Sequence, residues 1–376
     1  MNTTFWSVIS KLAMIGLCAG LMACSGTSRP KPEDISSVPV LQDIQTRWST
    51  QIGAVDFPLV VSARGDRVAL ASSQGMVAVL SAQTGQDIWR LNLNQAIAAG
   101  VGSDGQQVAL VTRDNQLVVL QDGKVLWRQT LSAQSFTAPL VAGGRVLVLM
   151  ADRSVLAFDG VSGAKLWTQQ RPGEPLVLKQ AGVILPFKNT LVVGLSGRLT
   201  GLDPINGLVR WESAIATPRG TNDMERLVDL VGPADRNADV VCARAFQSQI
   251  GCVNAERGQS VWTRASNGER GVSGNETQLI AALSNGVVQA WNRSNGERLW
   301  DTERLKYRAL SAPLVTQRGI LLADNGGWLY LLSLADGALL NRVKLDGSEL
   351  ASAPVQAGPH YVLVTREGRV MGLQIP

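Results

Sequence analysis

GERLW (296–300) sets a glycine four residues ahead of a tryptophan. Five other stretches repeat that spacing: GQDIW (85–89), GKVLW (123–127), GAKLW (163–167), GLVRW (207–211) and GQSVW (258–262). Trp48 belongs to the same series, and GALLN (337–341) puts Asn341 where a further indole is due. Trp48, Trp89, Trp127, Trp167, Trp211, Trp262, Trp300 and Asn341 stand 41, 38, 40, 44, 51, 38 and 41 residues apart. A period near forty, filled with strands, is the sequence mark of a four-stranded propeller blade.

The unit 311–345 shows the layout: SAPLV reads as an inner strand, GILLAD as a second and WLYLLSL as a third with alternating side chains. The turn ADG then leads to the outer strand ALLNRVKL. FPLVV (57–61), TAPLV (137–141) and SAPV (352–355) repeat the inner-strand start. Proline is tolerated there because the first residue of a strand need not donate to the ladder. The motif glycine ends the turn before the outer strand, where positive φ penalises a Cβ. Strand alternation is expected to aim the tryptophan between neighbouring blades. An indole there buries about 150–250 Å², worth several kcal/mol at ~25 cal/mol/Å². This spacing resembles the tryptophan-docking motif of the PQQ-like repeat of quinoproteins, over nearly the whole mature chain.

The ends decide the blade count. SAPVQA, HYVLVTR and RVMGLQI, between 351 and 375, are three strands without a fourth. LQDIQTRWSTQI (41–52) is an outer strand carrying Trp48 without a preceding three. Joined, they complete an eighth blade and leave no dangling half-sheet edge. The expected architecture is all-β: one eight-bladed propeller over 41–376, four antiparallel strands per blade, the last closed by the N-terminal strand.

Ahead of it, Lys11 precedes the apolar run LAMIGLCAGLMA (12–23), the length of a signal h-region and short for a bilayer span of ~20 residues. LMAC (21–24) resembles the lipobox of bacterial lipoproteins, which implies a signal peptide over 1–23 and lipidation of Cys24. An ordinary secretory signal with an incidental cysteine is the other reading. Ser25 in place of aspartate resembles lipoproteins sent to the outer membrane. Residues 24–40, polar and proline-containing, read as a flexible tether. Cys242 and Cys252 flank a hairpin turning near 246–248, in a register that sets them opposite each other. A cross-strand disulfide or two buried thiols both fit.

The formal net charge is +5, with cations interleaved among acids rather than in a stripe, so nucleic-acid binding is not expected. His360 is the single histidine, which leaves a catalytic triad or histidine metal site with one candidate. Calcium needs six to eight gathered oxygens, whereas the acids here are dispersed on turns. Trp291 and Trp328, in third strands, read as core. No catalytic residue, metal or cofactor is nominated, and the alternative of a periplasmic quinoprotein or ligand-binding propeller finds little chemistry to use.

Two connections are long: RPGEPLVLKQAG (171–182), between blades three and four, and 216–239, between blades four and five. In four-stranded antiparallel blades both emerge on one face, side by side. Leu176, Val177, Leu178 and Lys179 in the first, and Arg226, Leu227 and Asp229 in the second, form the candidate docking patch. The leucines either face solvent or begin an inner strand.

Lipobox, tether, eight blades, split last blade and paired loops together resemble the BamB family, lipoprotein subunits of the β-barrel assembly machinery. The resemblance implies a propeller without chemistry, facing the periplasm on the outer membrane. It also implies partners: POTRA domains of BamA, other subunits of the complex, and nascent outer membrane proteins, for which strand addition to blade edges is the expected mode of uptake. The family's contact, an apolar-x-apolar-basic run and a following acidic cluster, maps onto Leu176, Leu178 and Lys179, and onto Asp229. Lys179 replaces the usual arginine, and Val231 stands where a second acid is expected.

Overall fold

The structure, a computed structural model, describes residues 30–35, 40–171, 176–219, 221–222 and 226–376. Among these, thirty-two strands form eight antiparallel sheets of four. Seven sheets are consecutive in sequence, from Ser62–Arg64 onward. The eighth pairs Gln45–Gln51 with Arg369–Gln374, beside His360–Val364 and Val355–Ala357. Second and third strands are almost wholly buried, as in Arg67–Ala71 and Met76–Ser81, and carry the apolar runs that fill the space between blades.

The inner strands are shorter than their sequence suggests. In blade seven the strand begins at Leu314, and Ser311–Pro313 lies ahead of it. In blade one, Ser62–Arg64 is the strand. The apolar stretch before it instead bridges to the next blade, where the Val60 N–H donates to the Gly100 carbonyl at 2.7 Å.

The glycine–tryptophan spacing joins successive blades. Each motif glycine has positive φ, for example 71° at Gly163 and 76° at Gly207. Each lies beneath the tryptophan of the blade before it: a Cβ on Gly163 would fall 2.7 Å from Trp127, and one on Gly207 2.6 Å from Trp167. The same pairing joins Trp48 to Gly85, Trp89 to Gly123, Trp211 to Gly258, Trp262 to Gly296 and Trp300 to Gly337. Five indoles also donate to the carbonyl three residues before that glycine, as Trp48 does to Ala82 (2.8 Å) and Trp262 to Arg293 (2.7 Å). At the remaining seam Ile44 holds the place of the glycine, and the buried Asn341 amide donates to the Gln42 carbonyl at 2.6 Å.

Plain alternation does not aim these indoles. In every blade the register between third and outer strands slips by one residue just before the motif position. Val79 faces Trp89 while Leu80 faces Asp87, so Ile88 is the extra residue of a β-bulge. The bulge bends the strand and turns its exposed edge. Strand addition to the blade edges therefore meets an interruption that the sequence did not reveal.

Two further expectations need correction. Within 24–40, Ile35 is buried in the apolar cluster of Leu305, Leu310 and Tyr330, and the Glu33 carbonyl accepts from Arg308 at 2.8 Å. That part of the segment packs against blades six and seven. Of the connection 216–239, Leu230–Asn237 is the inner strand of blade five, so the loop ends at Asp229. Trp291 is buried, and Trp328, partly buried, packs against the core cluster of Tyr330 and Leu332, with the Arg342 guanidinium 4.5 Å and the Lys344 ammonium 4.8 Å from its ring centre.

Candidate docking site

Cys24 lies outside the described residues. The candidate docking residues meet on one face, where the connections leaving blades three and four run side by side. The first is held at its far end: the Gly182 N–H donates to Thr137 Oγ1 at 2.9 Å, and the Gly232 N–H to the Ala181 carbonyl at 2.8 Å. Upstream, Arg171 forms an ion pair with Glu212. Leu176, Val177 and Leu178 are half-buried and Lys179 is exposed at the mouth of the central channel. The leucines neither stand fully in solvent nor enter a strand, which begins only at Ile184.

Asp229 is bonded within the protein. Its Oδ2 accepts the Leu178 N–H at 3.1 Å, and its Oδ1 lies 3.5 Å from the Arg153 guanidinium. Arg153 also donates to the Leu176 carbonyl at 3.0 Å. The side chains are 9% and 19% exposed for Arg153 and Asp229, so this pair faces inward and ties the two connections together. Beside it Val228 and Val231 are buried, which places Val231 in the core rather than on the patch. Arg226 is half-buried, its N–H donating to the Asn222 carbonyl at 3.1 Å. Leu176, Leu178, Lys179 and Arg226 are thus the side chains at the surface, with Asp229 beneath them. Arg153 did not emerge from the sequence reading. Its only signal there is an arginine in the hairpin turn MADRS (150–154), where five other blades place glycine or asparagine.

Cys242 and Cys252 face each other across the second and third strands of blade five and are joined by a disulfide, Cα atoms 4.0 Å apart and both residues buried. Cys252 also faces Trp262 across the sheet.

The central channel holds about 770 Å³. The carboxylates along it are engaged within the protein: Asp56 with Ser73 and Arg113, Asp235 with Arg293, Glu269 with Gln247, Asp324 with Arg308 and Tyr330, and Glu349 with Arg366. Among the described residues, no three His, Cys, Asp or Glu side chains gather as a metal would require. His360 opens a strand of blade eight.

A family profile described as outer membrane protein assembly factor BamB matches residues 73–302 and 284–375. The outer membrane protein assembly factor BamB of Burkholderia pseudomallei is 33% identical over 358 residues, 94% of each chain. In fold, the crystal structure of BamB from Moraxella catarrhalis superimposes with a TM-score of 0.81 at 22% identity, covering 88% of this chain and all of that one. The quinohemoprotein alcohol dehydrogenase of Comamonas testosteroni shares the propeller at a TM-score of 0.69 and 13% identity, over 92% of this chain and 78% of that one.

Proposed function

The chain belongs to the BamB family of outer membrane protein assembly factors, and from that premise we propose that it is a non-enzymatic scaffold of the β-barrel assembly complex. After removal of residues 1–23, Cys24 carries the lipid that holds it to the outer membrane, facing the periplasm. The face formed by the connections after blades three and four binds periplasmic POTRA domains of BamA. The observation carrying this reading is the meeting of the two connections, with Leu178 bonded to Asp229 and Lys179 exposed beside them. Half-exposed leucines next to a cation suit a docking surface whose core excludes water and whose rim is polar.

The shared propeller of the quinohemoprotein dehydrogenase extends to the fold, and fold alone does not carry chemistry. The internal pairing of the channel acids gives a scaffold further support.

Leu176→Glu places a carboxylate at the patch, and its affinity for purified BamA POTRA domains is expected to fall at least about tenfold, equivalent to ~1.4 kcal/mol. Titration calorimetry beside a thermal melt reads this directly. Wild-type affinity in a folded variant would refute the patch.

A further inference from the structure

Arg153 occupies a backbone position that its own side chain disfavours. Its φ is 64°, and its N–H closes the turn on the Met150 carbonyl at 3.1 Å. The turns joining second and third strands in six other blades close in the same way; five of them hold Gly75, Asn115, Gly286, Gly327 and Gly368 at that position, all with positive φ, and blade five has Ser248 there after Gln247 at φ 47°. Glycine visits this region freely and asparagine more readily than other residues. An arginine kept where glycine or asparagine is the local preference needs a compensating interaction.

That interaction lies on the docking face. From the blade-three turn the guanidinium reaches the Leu176 carbonyl at 3.0 Å and the Asp229 carboxylate at 3.5 Å, while that carboxylate holds the Leu178 N–H at 3.1 Å. The cation therefore touches both connections at once. Both contacts are made by one terminal nitrogen, Nη2, whose two N–H groups can serve a carbonyl and a carboxylate together.

We propose that Arg153 is a positioning residue: with Asp229 it presets the backbone of residues 176–178, so that the leucines meet the partner without first being ordered. The partner is the one assigned to this face above, and the inference rests on that assignment. Presetting a loop lowers the entropy lost on association, so affinity rises without a new contact across the interface. Asp229 then acts through the loop rather than as an acidic ligand for the partner.

The test is Arg153→Asn in the full mature protein, because asparagine suits the turn and cannot span to both connections. Three readouts are taken: deuterium uptake of the segment 176–181 without partner, the thermal midpoint, and affinity for BamA POTRA domains. Uptake is expected to speed up about tenfold and affinity to fall about tenfold, while the midpoint holds or rises. Arg153→Lys, which keeps the charge on a shorter side chain, is expected to fall between.

Unchanged uptake in Arg153→Asn would overturn the positioning role. Faster uptake with undiminished affinity, while Leu176→Glu abolishes binding, would overturn its bearing on docking. If Leu176→Glu also binds as wild type, the face was wrongly assigned, and the uptake measurement still decides whether Arg153 orders the loop.

Discussion

An alanine at Gly207 would carry its Cβ 2.6 Å from the Trp167 ring, on a backbone at φ 76°. Two costs combine there: the left-handed conformation, ~1–2 kcal/mol for a residue with a Cβ, and displacement of a close-packed indole. Gly207→Ala is expected to lower unfolding stability by about 2–4 kcal/mol. Gly65→Ala is the control, since φ is 58° with no atom within 4 Å of the new Cβ, and only the conformational cost of ~1 kcal/mol applies. Equal losses in urea titrations would show that the glycines serve their turns and not their neighbours' tryptophans. The same logic accounts for Asn341. Where the chain enters the ring, no turn precedes the outer strand, Ile44 fills the site, and a short amide bonded to the Gln42 carbonyl replaces the indole.

At the scale of strands and sheets, blade five has an irregular inner strand, its register broken between Val231 and Asp235, yet its next two strands are joined by a disulfide. The loop closed between Cys242 and Cys252 is short, so the loop-entropy contribution is about 2–3 kcal/mol. Cys242→Ala/Cys252→Ala is expected to lose roughly that much, with faster deuterium uptake concentrated in blade five; a loss spread evenly over all blades would contradict a local role. The strands themselves were legible because a forty-residue period, glycine turns and apolar third strands all point to one architecture. The sequence also placed the split eighth blade, since Trp48 had no strands before it. What it hid were departures of a single residue. The bulge at Ile88 has no composition of its own and arises from how Trp89 must turn. Asp229 looked like a surface acid because nothing in its neighbours announces Arg153, distant in the chain and brought close only by the ring.

In the molecule as a whole, every blade but one is continuous in sequence, and the exception is built from both ends. Removing Arg369–Pro376 takes away the strand that Gln45–Gln51 needs as its neighbour. Such a protein is expected to lose its cooperative melt and to be cleaved rapidly by trypsin near Arg47; a sharp transition at the wild-type temperature would show that the wheel does not depend on this closure. Gln45 pairs with Gln374, so the first strand to be synthesised waits for nearly the last, and contacts so far apart in the chain form slowly. A chain that emerges in this order holds an unsatisfied edge until its last strand is in place. Copies that lack the last strand can never satisfy it, and the open edge distinguishes them from finished ones.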